Sequence, residues 1–197
     1  MRIGAGRFRN ALLPTAGEGV RPIPGRLRQS LFTVLHPWIE GARVLDLCAG
    51  VGGMGLEALS RGAREVVLVE RDRRTAGALS RWIEARGLTS EARVVVADAT
   101  RGGWPVGPYD LVFLDPPFDV WEGPGGGVDF LERGMAGLGQ EGRLAVKLPG
   151  GLVLPADPRW AVATRKEQGD VAYLVLRGGA AAGPPPDPAP RAPGRAP

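Results

Sequence analysis

Five strand-length apolar runs, separated by segments of helical periodicity, limit what this chain can fold into. They are ARVLDL (42–47), EVVLVE (65–70), ARVVVA (92–97), YDLVFLD (109–115) and GRLAVKL (142–148). Apolar residues in succession suit strands covered on both faces, and such strands belong in a parallel sheet. GLEALSRG, after the first run, is a short helix stopped by Gly62. After the second, Asp72 caps a helix whose Ala76, Leu79 and Ile83 share one face and which ends at Gly87. VDFLERGMAGL is a helix weakened by its glycines. WAVATRKE and VAYLVLR, joined by QGD, read as a β-hairpin. The alternation predicts an α/β doubly wound sheet closed by an antiparallel hairpin.

Ahead of the sheet, RIGAGRFRNALLP predicts a small hairpin with a glycine turn. GRLRQSLFTVLHPW predicts a helix with Leu27, Leu31, Val34 and Leu35 on one face, stopped by Pro37, with His36 as a helix-end residue. From Gly178 onward, GGAAAGPPPDPAPRAPGRAP has no large apolar side chain to bury and is expected to be a disordered tail. The expected organisation is a basic extension over 1–39, an α/β domain over 40–177 and a tail over 178–197. No apolar run approaches the ~18 residues of a membrane span, and MRIGAGRFRN lacks a signal-peptide stretch. The expectation is a soluble cytoplasmic monomer without a membrane partner. Cys48 is the only cysteine and there is one histidine, so neither a disulfide nor a metal is expected. Between Leu47 and Ala49, Cys48 reads as a small buried apolar residue.

The basic side chains are nearly all arginine; Lys147 and Lys166 are the only lysines. Through Ile39 the charges are Arg2, Arg7, Arg9, Arg21, Arg26 and Arg28 against the single acid Glu18. A one-sided basic segment is the electrostatic footprint of a polyanion partner. Arg7, Arg9, Arg26 and Arg28 are therefore expected on substrate phosphates.

LDLCAGVGGMGLEAL (45–59) contains Gly50-x-Gly52-x-x-Gly55, which by spelling alone could hold NAD. In an open parallel sheet, ligands bind beyond the C-terminal strand ends, so the residues there decide. Asp46 precedes the glycines where NAD sites usually stay apolar, and suits a ligand carrying a positive amino group. Glu70 lies twenty residues after Gly50 and can accept both ribose hydroxyls of NAD or of S-adenosylmethionine. Asp98, beside Ala99, can hydrogen-bond an adenine amino group.

Asp115-Pro116-Pro117-Phe118 ends the fourth strand and discriminates between these cofactors. A planar exocyclic amine must rehybridise to attack a methyl sulfonium. The Asp115 carboxylate and the Pro116 carbonyl can accept its two N–H bonds and stabilise the charge developing on nitrogen. Consecutive prolines donate no competing N–H, so their carbonyls are expected to aim outward. Phe118 offers a stacking face worth ~1–3 kcal/mol to a base. The catalytic set is thus Asp115, Pro116 and Phe118. The S-adenosylmethionine set is Asp46, Ala49, Gly50, Gly52, Glu70, Asp98 and Ala99. Trp121, three residues beyond Phe118, is either packing or a wall of the base pocket.

From about Arg2 to Arg177 the chain resembles the bacterial 16S ribosomal RNA guanine-N2 methyltransferases that modify guanine 966 of the small subunit. The resemblance rests on R-I-x-x-G-x-x-R, RLRQSLFTVL, LDLCAGVGGMGLEALSRGA, LVERD, ADA, DPPF and GDVAYLVL. It implies a Rossmann-like methyltransferase fold with a seven-stranded sheet. It also implies S-adenosylmethionine as cofactor, and 16S rRNA or a small-subunit assembly particle as partner. Cofactor contacts carry over to Asp46, the Gly50–Gly52 turn, Glu70 and Asp98, and target-amine contacts to Asp115, Pro116 and Phe118. The chain departs from the family in RPIPGRLRQ, where Gly25 replaces an acid and Gln29 a common glutamate. Three other readings use parts of the same residues. An adenine-N6 methyltransferase shares the amine chemistry, but no separate target-recognition domain is visible. A NAD-dependent oxidoreductase leaves Asp-Pro-Pro-Phe unexplained. A non-catalytic RNA-binding assembly protein has no need of Asp115 and Glu70.

Overall fold

A computed structural model describes residues 1–15, 25–123 and 127–178. Residues 16–24, 124–126 and 179–197, where the expected disordered segment falls, lie outside them. The elements run α1 (Gly25–Leu35), a 3₁₀ turn (His36–Trp38), β1 (Arg43–Leu47), α2 (Gly55–Ser60), β2 (Glu65–Glu70), α3 (Arg73–Glu84), β3 (Ala92–Val96) and β4 (Tyr109–Leu114). They continue with α4 (Asp119–Glu122), α5 (Val128–Ala136), β5 (Leu138–Pro149), β6 (Trp160–Gln168) and β7 (Val171–Gly178).

The strands form one seven-stranded sheet in the order β3-β2-β1-β4-β5-β7-β6. β1 through β5 pair in parallel, and β7 is antiparallel to both β5 and β6. The expected hairpin therefore closes the sheet with its second strand innermost. The parallel strands bury both faces. Val44, Val66, Leu68, Leu111 and Phe113 pack with α1, α2 and α3, while Leu45, Leu47, Val67, Val69, Val112 and Leu114 pack with α5. A side chain of this size stabilises by about 1.5–3 kcal/mol when fully buried. Successive residues point to opposite faces, so Asp46 and Asp115 project from the face that carries α1, α2 and α3.

Local chemistry explains the helix ends. Asp72 accepts the Thr75 N–H at 2.7 Å and caps α3. In α5, a Cβ at Gly134 would stand 2.7 Å from Leu144 and 2.8 Å from Leu114, so this glycine lets the helix lie close on the sheet. α1 buries Leu27, Arg28, Leu31, Phe32 and Leu35, whereas Val34 is only half-buried. The face is rotated from the expected one because Phe32 packs against Phe113, with ring centroids 5.7 Å apart.

The expected N-terminal hairpin forms around an antiparallel bridge between Arg2 and Leu12, with the Ile3 N–H on the Ala11 carbonyl and the Leu13 N–H on the Met1 carbonyl, both at 3.0 Å. Its anchor is Glu57 of α2, which is 1% exposed. This carboxylate accepts the Gly4 N–H at 2.6 Å, Arg28 at 2.8 Å and Arg61 at 2.8 Å. Arg28 also donates to the Arg2 carbonyl at 2.8 Å. The hairpin thus lies along α2. Its open end is at Met1, beside Gly53, and its tip at Arg7, whose N–H bonds the Ser60 carbonyl.

Candidate active site

The glycine loop turns because its backbone enters conformations that few side chains allow. Gly50 and Gly52 have φ of 54° and 78°, and Cys48 joins them at 65°. Gly55 meets a different constraint: a Cβ there would lie 2.7 Å from Leu68 and 2.8 Å from Val66, so α2 seats directly on β2. The loop is braced from beneath. Ala49 is buried and donates to the Val69 carbonyl at 2.9 Å. Glu70 accepts the Gly50 N–H through Oε2 and the Asp72 N–H through Oε1, both at 2.8 Å. Glu70 stays half-exposed at the end of β2, with lone pairs to spare.

Asp46 is buried under the loop at 1% exposure. Its Oδ2 accepts the Gly55 N–H at 2.7 Å, and its Oδ1 is buried without a hydrogen-bond partner. Burial pushes its carboxyl up to about 8, helped by the negative charges of Asp115 and Glu70. The same three carboxylates surround Cys48. Desolvation, followed by their repulsion, raises its thiol to about 12, so the side chain is an unreactive thiol. Asp98 follows β3, accepts the Thr100 N–H at 3.0 Å and hydroxyl at 2.7 Å, and has its carboxyl pulled down by those bonds. Ala99 beside it is buried.

Asp115 leaves β4 next to this loop, and its N–H reaches the Leu47 carbonyl at 3.3 Å. In the two-proline turn, the Pro117 carbonyl accepts the Val120 N–H at 3.2 Å and the Phe118 carbonyl accepts the Trp121 N–H at 2.9 Å. Among the described residues, the Pro116 carbonyl takes no such bond. Of the two proline carbonyls expected to aim outward, only that of Pro116 is therefore free. Phe118 is half-buried, whereas Trp121 is 5% exposed and packed under Gly127. Trp121 is packing rather than a wall of the pocket.

Two residues not singled out from sequence complete the site. Lys147 of β5 forms an ion pair with Asp115 and lies 5.5 Å from the centroid of the Phe118 ring. Tyr173 of β7 is the cross-strand partner of Lys147. Its phenol is buried without a hydrogen-bond partner among the described residues, and desolvation, then the Asp115 charge, holds it protonated. Burial raises the Asp115 carboxyl, and Lys147 is the largest influence pulling it back down. The signal in sequence was slight: one of two lysines, placed at the end of an apolar strand.

The arginines divide. Arg26 is exposed in the first turn of α1, and Arg9 is exposed near the hairpin tip. Arg28 is not a surface residue at all: it is 8% exposed and paired with buried Glu57. Arg7 is paired with Glu91 and packs on the Phe8 ring at 4.6 Å. Glu91 immediately precedes β3, so Arg7 sits at the end of the sheet away from Asp115. Burial corrects the expected phosphate role of Arg28, and the direction of the hairpin places Arg7 at the end of the sheet away from Asp115.

Residues 1–176 match the family described as Conserved hypothetical protein 95. The chain is 36% identical over 182 residues to ribosomal RNA small subunit methyltransferase D of Escherichia coli, covering 90% of this chain and 89% of that protein. It is 34% identical over 123 residues to the putative rRNA methyltransferase YlbH of Bacillus subtilis, covering 60% of this chain and 67% of that protein. Among solved structures it superposes on the putative methyltransferase YhhF from Escherichia coli with a TM-score of 0.77. That match is 34% identical and covers 91% of this chain and 98% of the other.

Proposed function

The chain belongs to the Conserved hypothetical protein 95 family, alongside ribosomal RNA small subunit methyltransferase D, and we propose that it methylates the exocyclic N2 amine of a guanine in 16S ribosomal RNA, of the guanine 966 type. The observation that supports this most is the pairing of an acceptor set at the end of β4 with a glycine loop at the end of β1. The Asp115 N–H bonds the end of β1 beside the braced loop, and its partner Lys147 lies 5.5 Å from the centroid of the Phe118 ring.

The loop residues fit S-adenosylmethionine. Asp46 Oδ1 is a buried acceptor without a donor, which suits a ligand ammonium. Glu70 stands at the end of β2 for ribose hydroxyls, and Asp98 with Ala99 at the end of β3 for an adenine. Bound there, S-adenosylmethionine supplies a methyl group on a sulfonium, electrophilic enough for a weakly nucleophilic amine. Asp115 and Pro116 accept the two N–H bonds of that amine and stabilise positive charge as its lone pair leaves conjugation. Phe118 holds the base by stacking, and Lys147 pulls the Asp115 carboxyl back down towards its ionised form.

The test is transfer of labelled methyl from S-adenosylmethionine to unmodified small-subunit RNA or assembly particles, followed by nucleoside mass analysis. N2-methylguanosine is the expected product. N6-methyladenosine would transfer the same site to adenine, and no transfer would leave a non-catalytic RNA-binding role.

A further inference from the structure

The sheet register continues from the site to its outer edge. Tyr173 pairs with Lys147 on one side and with Lys166 on the other. Directly paired residues share a face, so both lysines of the chain flank one buried phenol on the face that carries Asp115. Lys166, Glu167 and Gln168 of β6, with Arg26, Leu27 and Ser30 of α1, line a groove of about 250 Å³. Gln168 pairs with Val171 and Val171 with Pro149, so the groove opens at the end of the sheet where Asp115 lies. Three strand spacings separate Lys166 from Asp115, about 14 Å at ~4.8 Å each.

The charges in the groove are unevenly engaged. Glu167 is held by Arg165 at 2.8 and 3.0 Å and by the Gly151 N–H at 3.1 Å. Among the described residues, neither Arg26 nor Lys166 forms an ion pair. Arg26, Lys166, Ser30 and Gln168 thus bring a guanidinium, an ammonium, a hydroxyl and an amide to the walls of one shallow opening, beside Leu27 and the engaged Glu167. Tetrahedral anions with several acceptor oxygens match that set, the guanidinium by its planar fork and the ammonium as a point charge.

We propose that this groove grips a backbone phosphate of the substrate RNA, a few nucleotides along the strand from the base presented to Asp115. It is a positioning site: it fixes the strand's register and carries no base information. The proposal rests on the RNA methyl-transfer reading above.

The test compares the Arg26→Ala/Lys166→Ala double variant with Arg64→Ala, using binding of unmodified small-subunit RNA across a salt series. Arg64 is an exposed arginine just before β2, at the opposite end of the sheet. The double variant is expected to lower the slope of log affinity against log salt by ~0.7 or more, the single-strand value for one phosphate contact. Its apparent KM for RNA should rise, with S-adenosylmethionine affinity and melting temperature unchanged. Arg64→Ala is expected to leave the slope alone. An unchanged slope in the double variant, with parental protein that binds and methylates RNA, overturns the groove and spares the function. An equal fall in Arg64→Ala also overturns it, since any lost charge would then serve. Parental protein that neither binds nor methylates RNA overturns both.

Discussion

Lys147 and Asp115 form an ion pair between β5 and the end of β4, with the Phe118 ring 5.5 Å from the lysine nitrogen and Tyr173 as the lysine's cross-strand partner. The two side chains are only 15% and 17% exposed, so bulk salt screens them little. A carboxylate that must accept an amine's N–H bonds has to be ionised, yet desolvation at this position favours its neutral form. The ammonium opposes that desolvation more than any other group, which makes Lys147 a positioning residue for the proposed chemistry.

Lys147→Met should therefore raise the Asp115 pKa and move the acid limb of the methyl-transfer rate to higher pH. Lys147→Arg should largely restore the parental profile. Single-turnover rates across pH separate this from simple misfolding, which would lower the whole profile without shifting it. A Met variant whose acid limb stays in place would remove the lysine from this role.

Asp46 gives a pH prediction of its own. Its folded pKa, about 8, lies above the ordinary value of 3.8, so the folded protein holds a proton that the unfolded chain releases. Its contribution to stability is then fully present below about pH 4 and is lost as pH rises towards 8. Asp46→Asn should flatten that part of the stability profile in denaturant titrations. An ammonium brought to Asp46 favours the ionised form, so S-adenosylmethionine binding near pH 7 should release a proton. Calorimetry in buffers of different ionisation enthalpy measures that release, and it should vanish in Asp46→Asn.

Arg28 is predicted to matter for stability rather than for RNA. Arg28→Ala leaves Glu57 buried with only Arg61 as its ion-pair partner, so the loss should fall below the ~3–5 kcal/mol typical of a buried charge left wholly uncompensated. Urea titration should show that loss, while the salt slope of RNA binding at conditions where the variant is folded should match the parental one. A changed slope with normal stability would return Arg28 to the surface role suggested by its charge.

These residues mark how far the sequence was legible. The parallel strands were readable because burial on both faces leaves continuous apolar runs, and Asp46, Glu70, Asp98 and Asp115 were readable because a parallel sheet collects its strand ends on one side. β5 begins at Leu138, earlier than its apolar run, because its register against β4 shifts between Tyr109 and Leu111, and such an irregularity leaves no pattern in the chain. Arg28 looked like its neighbours because charge alone does not show that a partner waits 29 residues away in α2. The direction of the hairpin, which carries Arg7 away from the site, depends on Gly4 and Ser60 contacts that local propensity does not encode. Lys147 was hidden for a similar reason: its partners come from two other strands.

The Asp115 loop yields the final pair of predictions. Asp115→Asn preserves shape but removes the negative charge and can turn a donor towards an N–H that needs an acceptor. The charge it should stabilise develops on nitrogen only as reaction begins, so the loss belongs to turnover rather than to binding. A fall of ~10²–10³ in single-turnover rate is expected, the scale for one preorganised electrostatic contact. S-adenosylmethionine affinity should barely change, since Asp46, Glu70 and Asp98 are the residues assigned to it. Phe118→Ala should separate from this variant, because a stacking face acts on the bound base before and during reaction alike. It should raise the apparent KM for RNA with a smaller change in rate at saturation. Lys147 gives an internal check, as Asp115→Asn also strips the ammonium of its counter-charge. Combining Asp115→Asn with Lys147→Met should therefore cost less than the product of the two single losses. Parental rates in Asp115→Asn would take the catalytic centre away from this loop altogether.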